Sequence, residues 1–227
     1  MDCVNIKGAN VSKFTLGTVQ LGLDYGMANT SGKPSLEKAH EILQTAYDAG
    51  VTVLDTAAAY GNSEEVVGSY LKAHDHNMRV ISKFVFKSDD PVAELKQQIA
   101  TSRQLLGKVD GYMFHHANQM VAHHEKVRDT LEEMRQTDKL AFLGCSVYTA
   151  EDIEAFLEKG PWMDAIQIPM NVLDTRIAQR GLLEELHKRG VAVFVRSVFL
   201  QGMLCIGQGS GKVFLYATQF GRHKRGG

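Results

Sequence analysis

Residues 14–22 read Phe-Thr-Leu-Gly-Thr-Val-Gln-Leu-Gly, and the spacing of their glycines decides between two folds. This is the first apolar run of the chain, the place where an open, doubly wound dinucleotide-binding sheet carries a G-x-G-x-x-G turn. Gly17 and Gly22 enclose four non-glycine residues, which does not match that turn. The other fold is a barrel of parallel strands with crossover helices, and the rest of the chain has the alternation that both require.

Pro34-Ser35 opens a helix with Leu36, Ala39, Leu43, Ala46 and Tyr47 on one face and Gly50 as its stop. VTVLDT (51–56) is the second strand. Ser63 is placed to cap the next helix, and Glu64 and Glu65 fall in its first turn, where the helix dipole favours negative charge. RVISKF (79–84) is a third strand, followed by Asp90-Pro91 and a helix through Leu95, Ile99 and Leu106 to Gly107. DGYMFH (110–115) is a fourth strand, with a helix over roughly 124–137. LAFLGCS (140–146) is a fifth, after which Thr149 caps a helix containing Ile153, Phe156 and Leu157 and ending at Gly160. MDAIQIP (163–169) is a sixth, followed by a helix with Leu182, Leu183 and Leu186 that stops at Gly190, and VAVFVRS (191–197) is a seventh. Strands apolar on both faces fit a core inside and helices outside. The class is therefore α/β, of the (β/α)8 barrel type and incomplete, because an eighth strand is not legible.

With 227 residues the chain suits one domain. Apolar residues make up 44% and charged residues 22%, so a sizeable core is expected rather than disorder. The net charge of -1 gives no reason to expect nucleic acid or a membrane surface as partner. No apolar run approaches the roughly 18 residues of a membrane span, and MDCVNIKGAN lacks a signal-peptide profile. Cys3, Cys145 and Cys205 form neither a disulfide framework nor a zinc pattern, so a cytoplasmic location is expected.

Titratable residues collect at the C-terminal ends of successive strands. Asp55 closes VTVLD, Lys83 closes RVISK, His115 closes DGYMFH, and Tyr60 lies five residues past Asp55. Those ends share one face of a barrel, where active sites are built. The four make a proton-transfer device. A Lys83 ammonium would lower the pKa of the Tyr60 phenol, and Asp55 would keep the lysine charged and in place. Tyr60 could then protonate a carbonyl oxygen while hydride reaches the carbon, with His115 polarising the same oxygen. Singly, each has a plainer reading, as turn aspartate, loop aromatic or solvated strand end; it is their conjunction that points to chemistry.

The segment LDTAAAYGNSEEVVGSYL resembles the signature of the aldo-keto reductases. Further similar pieces follow in order: ISKF, VDGYMFHH, LGCSVYTAEDIEAFL, IQIPMNVLD and RSVFLQGML, covering about residues 14–204. The resemblance implies that Asp55, Tyr60, Lys83 and His115 are the catalytic tetrad and that NADP or NAD is the cofactor. It implies that Ser146, Gln167 and Asn171 hold the nicotinamide carboxamide end, with Gly17 and Thr18 as adjacent backbone and Asp55 close to the cofactor. Arg196 and Ser197 stand at the seventh strand end, where the family often has an aromatic residue against the nicotinamide; Arg196 is a candidate for the cofactor's phosphates. Val147 replaces the asparagine often found after the serine of the fifth strand. The substrate class implied is a small aldehyde, ketone or sugar-like carbonyl. The second reading is a nicotinamide-binding regulatory protein with little turnover, and the third an inactive fragment.

Residues 206–227 differ in texture, with six glycines, four basic residues (Lys212, Arg222, Lys224, Arg225) and no acid. The expectation is a barrel domain over 1–205 and an atypical basic tail over 206–227, the family pattern being truncated or frameshifted after about residue 205. KVFLYATQF (212–220) could supply a makeshift strand. His115-His116 with Asp55 would suit a metal hydrolase only with further strand-end histidines. His74, His76, His123 and His124 are expected in loops or helix starts, facing solvent. GQGSGK (207–212) lacks the spacing and final hydroxyl of a phosphate loop.

Overall fold

A computed structural model of the chain describes residues 1–6, 8–137 and 140–205. The chain starts with a hairpin of β1 (Cys3–Ile6) and β2 (Ala9–Ser12), paired antiparallel. Seven parallel strands then follow in sequential order: β3 (Leu16–Gly17), β4 (Val53–Asp55), β5 (Arg79–Phe84), β6 (Gly111–Phe114), β7 (Phe142–Ser146), β8 (Ala165–Pro169) and β9 (Ala192–Arg196). Between them run α1 (Val19–Gly22), α2 (Leu36–Asp48), α3 (Ser63–Ala73), α4 (Pro91–Leu106), α5 (Ala117–Thr137), α6 (Ala150–Lys159), α7 (Arg176–Gln179) and α8 (Leu182–Lys188). This is the curled parallel sheet of a (β/α) barrel, and seven strands are seen where seven were read. The expectations for residues 206–227 lie outside the described residues. Among the described residues, no helix is long and apolar enough to cross a membrane and no group of three potential ligands could hold a metal ion.

The strand period of two separates the two faces of the sheet. Val53, Ile81, Met113, Phe142 and Ala165 form one buried cluster inside the curl, and Val11 from the hairpin joins it. The intervening residues Leu54, Val80, Phe84, Tyr112, Phe114, Leu143, Cys145 and Ile166 belong to a second, larger cluster shared with the helices. The hairpin therefore floors the barrel, and reciprocal bonds between Ser12 and Thr52 fix it there (Ser12 N to Thr52 Oγ1 2.8 Å; Thr52 N to Ser12 Oγ 2.9 Å). Polar alternation in residues 3–12 leaves no apolar run, so this hairpin has no clear signature in the sequence.

Local rules set most helix ends. Ser35 caps α2 by accepting from Lys38 N, and Asp90 caps α4 ahead of Pro91. Thr149 and Asp152 form a full capping box on α6. Three expectations are corrected. The first strand is short, because the chain leaves the sheet at Thr18 and turns into α1. Helix α5 starts at Ala117 rather than near 124, which puts His123 mid-helix with its ring edge-on to Phe86 at 5.2 Å. His74 and His76 are half-buried, packed on Tyr70 and Tyr47 rather than facing solvent.

Candidate active site

On four of the five floor strands the inward position two residues on is polar, and on β7 it is Gly144. Asp55 follows Val53, Lys83 follows Ile81, His115 follows Met113 and Gln167 follows Ala165, so one period places all four at the barrel mouth. Lys83 is completely buried. Its ammonium donates to Asp55 Oδ1 at 2.8 Å and to the Thr56 carbonyl at 2.8 Å, and meets Tyr60 Oη at 3.4 Å. The imidazole of His115 stands edge-on to the Tyr60 ring, with centroids 5.6 Å apart. The four residues expected to act together are thus brought together.

A buried ammonium needs its charge compensated. Burial opposes ionisation of Lys83, but Asp55 and Tyr60 together outweigh it and hold the pKa above its ordinary value. For Tyr60 burial is the largest influence and raises the phenol above 10.0, while Lys83 offsets this only in part and Asp55 adds to it. The expectation that Lys83 leaves the phenol below its ordinary value is corrected: the cation lowers it only relative to the burial-raised level. Tyr60 is consequently a neutral phenol at physiological pH, the form that can give a proton. His115 is pushed down to about 3 by burial first and then by the charge of Lys83, and is a neutral imidazole. Its Nδ1 is buried without a partner among the described residues.

Tyr60 sits in a tight turn, its N–H donating to the Ala57 carbonyl and its carbonyl accepting from Ser63 N, both at 3.0 Å, and that turn is bound to the segment at Thr18–Gly22. Gly22 and Gly61 let two turns touch: an added Cβ at Gly22 would collide with the Tyr60 carbonyl, and Gly61 adopts φ 57° against Gly22. Ser63, expected as a helix cap, is instead the first helical residue and wholly buried. Its hydroxyl donates to the Thr18 carbonyl at 2.9 Å and bonds Thr18 Oγ1 at 2.8 Å, while Thr56 Oγ1 donates to it at 3.1 Å. Thr18 Oγ1 in turn donates to the Asp55 carbonyl at 2.9 Å. The sequence signal for this knot, three hydroxyl residues flanking Asp55 and Tyr60, is visible only once the two turns are known to meet.

The expected cofactor residues are placed as follows. Ser146 and Gln167 are buried neighbours on β7 and β8, with Ser146 Oγ donating to Gln167 Oε1 at 3.3 Å. Asn171 lies past β8 in a tight turn, where its Oδ1 accepts from Leu173 N. Gly17 is exposed at the end of β3, beside Asp55 in register, and the Thr18 side chain is fully buried. Arg196, at the end of β9, donates to the Val147 carbonyl at 3.0 Å and stacks on Tyr148 at 4.1 Å. Ser197 follows with φ 60°, left-handed for a non-glycine residue. Tyr148 has no signal of its own in the sequence; only the folding of the 47 residues between it and Arg196 makes it part of the mouth.

Comparison with known proteins points to one family and one fold. The aldo/keto reductase family profile matches residues 13–212. Aldo-keto reductase YhdN of Bacillus subtilis (strain 168) is 26% identical over 220 residues, covering 91% of this chain and 62% of its own length. Aldo-keto reductase str7 of Strobilurus tenacellus is 26% identical, covering 84% of this chain and 58% of its own length. The chain thus spans about six-tenths of these curated relatives. Among solved structures, the glycerol dehydrogenase AKR11B4 from Gluconobacter oxydans superposes with a TM-score of 0.73 at 23% identity, over 92% of this chain and 68% of that one. The holo form of aldo-keto reductase AKR11C1 from Bacillus halodurans gives 0.73 at 23%, over 93% and 70%. A mutant of Gox0644 in complex with NADPH gives 0.67 at 17%, over 96% and 74%. These likenesses establish the shared fold.

Proposed function

Because this chain belongs to the aldo/keto reductase family, we propose that it reduces a small aldehyde, ketone or sugar-like carbonyl with NADPH or NADH, Tyr60 giving the proton. The observation that carries the reading is the buried Lys83 ammonium, shared by Asp55, the Thr56 carbonyl and the Tyr60 hydroxyl at one barrel mouth. A reduced nicotinamide supplies hydride when bound. The residues present fit such a group: Ser146 and Gln167 offer a hydroxyl and an amide to its carboxamide, and the buried His115 Nδ1 has no hydrogen-bond partner among the described residues. Asn171, Ser197 and the backbone at Gly17 and Thr18 stand along the same rim. The solved relative bound to NADPH supports the choice of cofactor class.

Tyr60 is the general acid. As negative charge develops on the carbonyl oxygen, the phenol proton moves to it, and the phenolate left behind is stabilised by the ammonium 3.4 Å away. Asp55 keeps that ammonium charged and oriented. A neutral His115 donates a hydrogen bond to the same oxygen without competing for its proton. Positioned acid catalysis of this type contributes about 10²–10⁴-fold. The test is NADPH and NADH oxidation by the purified full chain over a carbonyl panel, beside cofactor dissociation constants. Cofactor binding without turnover of any carbonyl would overturn the reading.

A further inference from the structure

Arg196 differs from most of the other described arginines in what it meets. Arg79, Arg135, Arg176, Arg180 and Arg189 each form an ion pair with a carboxylate. Among the described residues no carboxylate lies within ion-pair distance of Arg196, although it is half-buried on an inward strand position. One N–H is fixed by the Val147 carbonyl, and the guanidinium carbon lies over Tyr148, 4.1 Å from the ring centroid. Tyr148 continues into a row of rings: His116 stacks on it at 6.3 Å, His115 on His116 at 4.7 Å, and Tyr60 meets His115 edge-on. Asp152, four residues past Tyr148, accepts from Tyr148 N and Thr149 N in the α6 capping box. Asp55 is held by Lys83.

An aromatic face and one carbonyl hold a guanidinium in place without neutralising it, and its remaining donors keep the fork geometry that suits a carboxylate or phosphate. We propose that Arg196, held by Tyr148 and Val147, is a specificity residue that accepts an anionic oxygen group of the carbonyl substrate, so that the preferred substrates are carbonyl compounds bearing a carboxylate or phosphate. The proposal rests on the reductase reading for its reaction but not for its binding. The charge of Arg196 also reaches Tyr60 and His115, favouring the phenolate of the first and disfavouring the cation of the second, so it acts on the same space as the proposed chemistry. The same oxygen chemistry exists on a cofactor's phosphates, and the measurements separate the two sources.

The experiment compares the full chain with Arg196→Gln and Arg196→Lys, and with Arg180→Gln as a control for lost surface charge. The substrates are 4-carboxybenzaldehyde against 4-carbamoylbenzaldehyde, and glyceraldehyde 3-phosphate against glyceraldehyde. A charge-assisted contact predicts an anionic preference in kcat/KM of about ten- to hundredfold. Arg196→Gln should collapse that ratio towards one, lowering kcat/KM for the anionic partner about tenfold or more beyond any change in the neutral one. Arg196→Lys should restore part of it, and Arg180→Gln should keep it. A wild-type ratio near one, or a ratio that survives Arg196→Gln, overturns the proposal. Unchanged ratios with tenfold weaker NADPH and NADH binding also overturn it, assigning the guanidinium to the cofactor's phosphates. If no carbonyl is turned over, the reductase reading fails and calorimetric titration decides this one. Tighter binding of the carboxylate in the wild type, lost in Arg196→Gln, supports it; equal affinities or no binding of either compound overturn it.

Discussion

Lys83 Nζ lies 2.8 Å from Asp55 Oδ1, although 28 residues separate the two in sequence. Adjacent parallel strands β4 and β5 bring them together, and the lysine's other contacts run to Thr56 and Tyr60. One ammonium therefore serves both the integrity of the barrel mouth and the state of the phenol, and the two roles are separable by substitution.

Tyr60→Phe removes only the hydroxyl, whose contact is the ammonium of Lys83. Carbonyl reduction should fall by about 10²–10⁴-fold while the cofactor dissociation constant stays nearly unchanged. Single-turnover rates beside fluorescence titration with NADPH check this; a rate above about a tenth of wild type would exclude general-acid catalysis of the expected size.

Lys83→Met leaves Asp55 largely buried without its counter-charge, its side chain being 13% exposed. Breaking a buried pair from one side costs about 3–5 kcal/mol, measurable by denaturant unfolding. The kinetic effect has a definite sign. Reduction needs protonated Tyr60, so the rate is present below the phenol's pKa and lost above it. Burial has already raised that pKa, and removing the cation that partly offsets burial raises it further. The alkaline limb of the profile should move to higher pH while the maximum rate drops. An unmoved limb would reduce Lys83 to a structural role.

His115 should stay neutral across the physiological range, its pKa being pushed down to about 3 from 6.5. In the unfolded chain the imidazole binds a proton at the higher value, so the unfolded state holds more protons between about pH 6.5 and 3. Stability linked to His115 is thus complete above 6.5 and is lost as pH falls towards 3. His115→Asn should flatten the decline of stability over that window. Its ring signals should show no titration between about pH 5 and 8 by NMR, where an ordinary histidine would titrate.

Gly22→Ala tests the knot beneath Tyr60. The new methyl group would strike the Tyr60 carbonyl and Ser63 N, both backbone, so the turn itself has to shift. Overpacking of this kind costs about 1–3 kcal/mol. The displaced phenol should lower kcat more than KM. Equal kcat with reduced thermal stability would show that Tyr60 tolerates the shift.

Residues were legible in the sequence where local pattern and final position coincide. The seven strands followed from apolar runs, and Pro91, Thr149 and Gly107 marked helix ends by their own backbone chemistry. Asp55, Lys83 and His115 stood out because a polar residue ending an apolar strand is unusual. What escaped depends on contacts between distant segments. Ser63 has the appearance of a cap, yet its hydroxyl goes to Thr18 across 45 residues. The direction of the Tyr60 shift could not be judged from its charged neighbours, because burial, the largest influence, is a property of the assembled mouth. Arg196 was noticed as a departure from the family's aromatic residue, but Tyr148, which gives it a seat, was not.

The spacing of floor and mouth has a consequence for how such a chain can change over time. On β5 the floor residue Ile81 and the mouth residue Lys83 are separated only by Ser82, whose hydroxyl points outward to Glu64. Removing Ser82 would reverse the parity of everything after it. Lys83 would be carried into the apolar layer under the helices, and Phe84 into the mouth. The same holds for Leu54 between Val53 and Asp55, and for Ile166 between Ala165 and Gln167. A substitution at the mouth therefore changes one side chain, whereas a single-residue insertion or deletion within these strands should cost fold and chemistry together. Length variation should accumulate in the loops beyond the strand ends, such as the turn at 171–175, where parity carries no information.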